Sequence, residues 1–527
     1  MFNKIAALLA LFVSSIAANA QGGKQMFNDT ILHRIDVKID PYNWFDILEE
    51  DYKNNIKDPI AFPEIYRQCD VTIDGMLLLK CGIREKGNSS NNMHNSSVKK
   101  PFKIAFDEFV NQKYDDLKKI NLNNFTNDPS LLHEAIAYKL MRKIVGVASR
   151  IAFAKLYFNG VYWGLYQITE NVDKTFLKYH FGDTNNNGNL YKTNKESQVY
   201  LNWLGADKTK YKDAGLELKT NETAADWSKL IHFVDLLNHA SVKDIEGVLD
   251  SFFDIHNYLK ILAVEKCLRS WDSYWGGGNN FYLYEHPDGK IHWIPWDMNE
   301  SFQDIYILSG TKLNDGYLIP TKTMDERPLM KRIFEVPKFK QEYLDNVCKL
   351  IHEDFTLNFI GPFAAMCHTL VDKAYKEDPN KFNSYEAFDK SLVTTHKDEM
   401  IINKSSYQIT LRYPGIFPFI QSQQKWAVDQ LKGWEQTCVL DKRKFYKIEY
   451  FPNPTTTEIY VKQFGTDFDY SQFKIYGMNG MLVQNNGYEV FKGAKTKVDL
   501  TPISKGVYTI VKIGIDGNLG YSRLVVQ

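Results

Sequence analysis

The sequence predicts an α+β protein, a two-lobed mixed domain followed by a small all-β sandwich. Two observations predict the mixed domain. Residues 30 to about 170 carry strand and hairpin patterns around one strong helical pattern, and residues 171–440 are mainly helical with one prominent hairpin. A third predicts the sandwich, since residues 446–527 are short strands punctuated by Gly, Pro and Asn. The 527 residues suit about three folded units. Their 44% hydrophobic content excludes wholesale disorder. The 64 basic and 64 acidic residues cancel, leaving no global field for a nucleic-acid backbone, so no nucleic-acid partner is expected.

The chain opens on Lys4, an apolar run over Ile5–Ala18, and small residues at Ala18 and Ala20. That run reaches about 21 Å as a helix, short of the roughly 30 Å hydrocarbon core. Residues 1–20 are therefore read as a cleaved signal peptide. No later segment reads as transmembrane, so an exported protein is expected. Six cysteines are scattered without a C-x-x-C pair, which argues against zinc ribbons and thioredoxin chemistry. Cys69 and Cys81 flank a hairpin turning at Asp74-Gly75, where a disulfide would require a bulge, and the sequence leaves that bond open. The other four read as buried thiols.

Along the first section (21–170), Val71–Ile73 and Met76–Leu79 flank the Asp-Gly turn. Arg84-Glu85-Lys86-Gly87-Asn88-Ser89-Ser90 follows, then the strand Phe102–Phe106. The strong helix is expected to start at Asp128-Pro129, with Asp as N-cap and Pro at the first position, and to stop at Gly146. Ile151–Phe158 and Tyr162–Ile168 form a hairpin around Asn159-Gly160. Strand alternation turns Lys103 away from Phe102 and Ile104. It is either a solvated face residue or a phosphate-binding lysine held by a carboxylate on the next helix. Glu134 is the candidate carboxylate, because it shares an apolar helical arc with Met141 and Val145 and is costly there unless paired.

In the second section (171–440), a helix over about Phe253–Arg269 delivers Trp271-Asp272, then Gly276-Gly277-Gly278-Asn279-Asn280. A hairpin over Phe281–Trp296 then ends at Asp297. Asp272 and Asp297 could merely cap a turn and end a strand. Their setting among Trp271, Trp275, Trp293 and Trp296 favours a chemical role. Two chemistries fit. In phosphoryl transfer, the first Asp orients a hydroxyl nucleophile while an Asn and the second Asp hold Mg²⁺. In the other, two glycosidase carboxylates act beside sugar-stacking aromatics. The strand ending at Glu170, followed by Asn171-Val172-Asp173, would join two lobes as a hinge.

GIREKGNSS (82–90), KKPFKIAF (99–106), LLHEAIAYKLMRKIVG (131–146), GVYWGLYQITENVDKTFLKYHFG (160–182), GNLYK (188–192), WDSYWGGGNNFYLY (271–284), HWIPWDMNESF (292–302) and RPLMKRIF (327–334) together resemble the CotH kinase family. This is an atypical, secreted group of protein-kinase-like proteins, and the resemblance covers roughly residues 30–435. It implies an N-lobe over 21–170, a C-lobe over 171–440, and transfer of the ATP γ-phosphoryl group to hydroxyls of an exported protein substrate. The implied catalytic residues are Asp272, Lys103 and Glu134. ATP contacts would come from Arg84, Gly87, Asn88, Ser89, Ser90, Lys103 and Glu170. Mg²⁺ or Mn²⁺ ligands would come from Asn279, Asn280 and Asp297. GNSS departs from the G-x-G-x-x-G of ordinary kinases, Asp272 lacks a preceding His-Arg, and six residues separate it from Asn279 rather than four. A non-catalytic adhesin or pseudokinase on the same fold is the competing reading.

Phe451-Pro452-Asn453-Pro454-Thr455, Ile475–Gly480, Val498–Leu500 with Gly506–Tyr508, and Tyr521–Val526 are similar to the sorting domain of the type IX secretion system of Bacteroidetes. That similarity implies type IX machinery as a partner and a secreted or cell-surface location reached through the periplasm. An adhesive or carbohydrate-binding module is the alternative for this section.

Overall fold

The computed structural model describes residues 22–527 apart from 93–95, 195–197, 308–317, 320–323, 404–407, 435–437, 439–444, 448, 452, 463–467, 479–480, 492–494 and 515–518. The expected signal segment 1–20 and most of the expected linker before residue 446 lie outside the described residues.

The first section runs β1 (Leu32–Ile39), α1 (Trp44–Lys57), β2 (Arg67–Ile73), β3 (Met76–Glu85), the short α2 (Ser89–Asn92), β4 (Phe102–Ala105), β5 (Lys119–Asn123), α3 (His133–Val145), β6 (Ile151–Phe158) and β7 (Val161–Glu170). Among the described residues the seven strands close into a barrel in the order β1-β2-β3-β4-β5-β7-β6. Closure comes from β1, which pairs antiparallel with β2 and parallel with β6. Its alternating Ile35, Val37 and Ile39 enter a core with Val71, Ile83, Ile104 and Ile168, and Trp44 of α1 stacks on Phe158 at 4.2 Å.

Both hairpin turns fall where the Asp-Gly and Asn-Gly pairs place them, with Asp74 at φ 49° and Asn159 at φ 49°. The bulge that a Cys69–Cys81 bond requires is present, with the two residues in register, yet both remain buried thiols. The reading of four other thiols is corrected at Cys348 and Cys438, which form a disulfide with Cα atoms 6.1 Å apart. Their 90-residue separation gave the sequence no local turn to announce it. The strong helix also starts later than Pro129. Leu131 takes a left-handed conformation (φ 63°), Leu132 rather than Asp128 is the N-cap, and Asp128 Oδ2 reaches the first helical N–H, of His133, at 2.8 Å from outside the helix. Gly146 (φ 80°) ends it as expected.

The second section continues through α4 (Lys174–Phe181), β8 (Leu190–Thr193), α5 (Lys208–Asp213), β9 (Leu216–Leu218), α6 (Ser228–His239), α7 (Ile245–Phe252), α8 (Ile255–Cys267), β10 (Phe281–Glu285) and β11 (Ile291–Pro295). Then follow β12 (Asp304–Ile307), α9 (Pro328–Glu335), α10 (Pro337–Glu353), α11 (Leu357–Glu377), α12 (Tyr385–Lys390), β13 (His396–Asn403), β14 (Gln408–Tyr413) and α13 (Ile416–Lys432). The anticipated hairpin is β10–β11, and β8 and β9 extend it to a sheet in the order β11-β10-β8-β9. Helix α8 is buried on nearly every side, against α3, α10 and α13, which fixes the segment leaving its C-terminal end.

The described part of the last section forms two β-sheets around Ile459, Phe473, Ile475, Val498, Ile510 and Leu524. It rests on the helices rather than standing apart. Tyr521 meets the Phe417 ring edge-on at 5.4 Å, and Arg523 pairs with Asp372 of α11 at 3.0 Å. No helix among the described residues is long and apolar enough to cross a membrane.

Candidate functional site

A cleft of about 670 Å³ opens between the barrel and the β8–β11 sheet. One wall carries Arg84, Lys86, the Gly87–Ser90 loop and Lys103 from the barrel. The other carries Lys192, Asp272, Asn279, Asn280, Asp297 and Glu300. Of the residues singled out from the sequence, Arg84, Gly87, Asn88, Ser89, Ser90, Lys103, Asp272, Asn279, Asn280 and Asp297 all line this one space.

The loop is held from behind. Tyr52 Oη donates to the Gly87 carbonyl at 3.0 Å, and Asn124 Nδ2 and Thr126 Oγ1 donate to that of Ser90 at 3.0 and 3.1 Å. Gly87 sits at φ 84°, where an added Cβ would lie 2.3 Å from Ser90 Oγ, so the bend requires glycine.

Asp272 follows α8 by a short turn. Asn280 Nδ2 donates to its Oδ2 and to its carbonyl, each at 2.8 Å, and Trp296 N–H donates to the Asn280 carbonyl at 3.0 Å. A Cβ on Gly277 would come within 2.8 Å of Asp272 Oδ1. The glycine run therefore lets the chain fold closely around this carboxylate. Asp297 ends the hairpin in a left-handed conformation (φ 54°), and its N–H donates to Tyr138 Oη of α3 at 3.0 Å.

Burial, then the charges of Glu300 and Asp297, push the Asp272 carboxyl up to about 8, against the opposing hydrogen bond from Asn280. Burial chiefly, with Asp297 adding, also lifts Glu134 and Glu300 to about 7 each. The charge of Asp297 thus acts on all three of these carboxyls. Glu134 Oε1 and Glu300 Oε2 are buried without a hydrogen-bond partner. An all-oxygen donor set with unsatisfied buried oxygens matches the preference of a hard divalent cation. Across the cleft, burial lowers Lys103 well below the ordinary lysine range, and Arg84, Lys192 and Lys119 reinforce the effect. Lys192 falls to about 8, burial again leading. Arg84 is paired with Glu64 at 2.6 Å on the same wall. The cluster of Arg84, Lys86, Lys103 and Lys192 is arranged to receive negative charge.

Two expected arrangements are corrected. Lys103 and Glu134 do not pair. Register sets Lys103 opposite Arg84 and Asn121, facing the cleft. Glu134 is met instead by Asn123 Nδ2 at 2.6 Å, by Gln167 and by Thr169, and the cation acting on it is Lys86. Glu170 does not line the cleft. It is buried and bound to Arg150 and His180, whose hydrogen bonds overcome desolvation and hold it near 2. Strand alternation explains this, because the next residue, Asn171, faces the cleft. The sequence reading passed over Lys86, Lys192 and Glu300. Lys86 was signalled by its place beside Gly87, and Glu300 by its position three residues after Asp297 on one tight turn (Met298–Glu300).

A mixed α/β domain with an acid-and-amide wall facing a cationic loop defines a class, and comparison with known sequences specifies it. The CotH kinase protein family matches residues 83–426, more than half of the chain, and the protein belongs to that family. Residues 449–527 match the secretion system C-terminal sorting domain, which places the protein at the cell surface or outside through type IX export. The inner spore coat protein H of Bacillus subtilis is 23% identical over 59% of this chain and 82% of its own length. Two proteins of Rhizopus delemar, spore coat protein homolog 1 and invasin CotH7, are each 21% identical. The matches cover 63% and 49% of this chain, and 52% and 43% of those proteins.

Proposed function

We propose that the protein is an exported atypical protein kinase that moves the γ-phosphoryl group of ATP to hydroxyl side chains of exported proteins. The observation that carries this reading is the convergence of Asp272, Asn280 and Asp297 on one wall of a single cleft, facing Arg84, Lys86, Lys103 and the Gly87–Ser90 loop. Family membership supports it.

In this reading Asp272 orients the acceptor hydroxyl and takes its proton as the oxygen bonds to the γ-phosphorus. The bond from that phosphorus to the bridging oxygen breaks, and ADP leaves. Asn280 fixes the Asp272 rotamer through its hydrogen bond to Oδ2, and the turn through its bond to the Asp272 carbonyl. Lys86, Lys103 and Arg84 stabilise charge on the phosphate oxygens, and the pinned loop covers them. Asp297, with Asn279 or Asn280, would hold Mg²⁺ or Mn²⁺, which supplies charge neutralisation between the phosphates. Such an ion would also draw the Asp272 carboxyl down from about 8 toward the ionised form its role requires.

Incubating the full mature chain with labelled ATP, Mn²⁺ or Mg²⁺ and candidate exported proteins tests the reading. Label should reach protein with wild type and not with Asp272→Asn. A second reading, a surface protein that keeps the fold for adhesion, is favoured by the relative named as an invasin. It expects no transfer, and partner binding unchanged by Asp272→Asn.

A further inference from the structure

We propose that the turn of the β10–β11 hairpin is a second metal site, in which His286, Asp288 and His292 take a borderline transition-metal ion of the Zn²⁺ class. One donor atom from each of the three lies within 4.8 Å of the other two. Asp288 presents Oδ1 to His286 Nδ1 at 3.0 Å and Oδ2 to His292 Nε2 at 2.9 Å. His286 Nδ1 also accepts the Asp288 N–H at 3.1 Å. Ligand atoms around a tetrahedral zinc with bonds of about 2.0–2.1 Å are spaced by about 3.3 Å, so an opening of this turn that releases that N–H admits the ion. The turn can supply it, because Gly289 (φ 102°) has nothing near its Cβ position and Asp288 is 40% exposed.

The surroundings are those of a ligating histidine. Asp254 Oδ2 lies 3.0 Å from His292 Nδ1, so that nitrogen donates to Asp254 and Nε2 is turned toward Asp288. A carboxylate behind an imidazole sets the tautomer and orientation that metal binding uses. Phe181 packs against both rings, at 5.3 Å from His286 and 5.5 Å edge-on to His292. Two imidazoles and one carboxylate select zinc-like ions over Mg²⁺, which separates this site from the all-oxygen cleft. Asp254 immediately precedes α8, which leads to Asp272, and its N–H donates to the Ile291 carbonyl of the hairpin leading to Asp297. An ion here would clamp the origins of the two segments that carry the candidate acids.

The test uses the full mature chain, stripped with chelator and kept oxidised so that Cys348–Cys438 stays bonded. It is titrated calorimetrically with Zn²⁺ in excess Mg²⁺. One equivalent of Zn²⁺ should bind to wild type and to Asp297→Ala. His292→Gln and Asp288→Asn should weaken it at least tenfold, and Asp254→Asn by about 10–100-fold. Wild type that takes up no Zn²⁺ overturns the proposal, and so does folded His292→Gln with unchanged affinity. Loss of the equivalent in Asp297→Ala, with retention in His292→Gln, would place the ion in the cleft and overturn it equally.

Discussion

Asn280 donates one side-chain amide to two acceptors of Asp272, the carboxylate Oδ2 and the main-chain carbonyl, each at 2.8 Å. The amide therefore fixes both the rotamer of the acid and the turn that presents it. Asp272→Asn should leave Mg-ATP affinity nearly unchanged while transfer falls about 10²–10⁴-fold, the usual contribution of a positioned general base. Asn280→Ala should lower transfer by about 10–100-fold, since it removes a hydrogen bond to a charged group. Single-turnover kinetics with separate nucleotide-binding measurements check both. Wild-type transfer in Asp272→Asn would return that residue to a turn-capping role.

The charge of Asp297 acts on Asp272, Glu134 and Glu300, so Asp297→Ala should abolish metal-dependent nucleotide binding. Isothermal titration with Mn²⁺ and ATP measures this directly. Unchanged affinity in a folded variant would remove Asp297 from the metal role.

The same carboxylates link stability to pH. Asp272 sits near 8 in the folded protein against an ordinary 3.8, and Glu134 and Glu300 near 7 against 4.5. Between these limits the folded state holds protons that the unfolded chain has released. Their stabilising contribution is complete below about pH 4 and is lost as pH rises through about 7–8. In chelator, the melting temperature should therefore drop on going from about pH 5 to about pH 8. Mg²⁺ or Mn²⁺ should restore more at the upper end than at the lower. Scanning fluorimetry reads both effects, and equal metal stabilisation at both ends would contradict the assignment.

Much of the cleft was legible because its parts are local signals. The order of Asp272, the glycine run, Asn280, a hairpin and Asp297 is written along 26 consecutive residues. The turns at Asp74-Gly75 and Asn159-Gly160 follow from residues that tolerate positive φ. What was not legible depended on distant pairing. Parallel closure of β1 on β6 joins residues more than a hundred positions apart, and the Cys348–Cys438 bond spans 90. The choice between Lys86 and Lys103 as partner of Glu134 turned on register. Asn123 and Gln167 are paired across β5 and β7, and they occupy the place where the Lys103 side chain was expected.

That choice has a consequence for binding. Lys86 is half-buried and its pKa is lowered, desolvation outweighing the opposing pull of Asp297 and Glu134. Glu134→Gln should lower the Lys86 value further and weaken ATP binding, whereas Lys103 should respond little. Chemical modification of the two lysines across pH, read by mass spectrometry, distinguishes them. A shift of Lys103 in Glu134→Gln would restore the pairing read from the sequence.

The C-terminal section bears on both transport and stability. No described residue of 446–527 lines the cleft, so deleting it should leave Mg-ATP binding in place. The section is nevertheless not a passive appendage. Tyr521 and Val511 are buried in the main helical core, and Arg523 pairs with Asp372. Removing them uncovers apolar surface on α11 and α13, including Phe417, at a cost of about 1.5–3 kcal/mol for each large side chain that loses its cover. The truncated protein should therefore melt several degrees lower while still binding nucleotide. Because the sorting domain is gone, it should also accumulate in the periplasm of its host. Differential scanning calorimetry and cell fractionation check the two outcomes independently. An unchanged melting temperature would show that the packing against α11 and α13 carries no stability. Truncated protein at the cell surface would instead refute the sorting role of the tail.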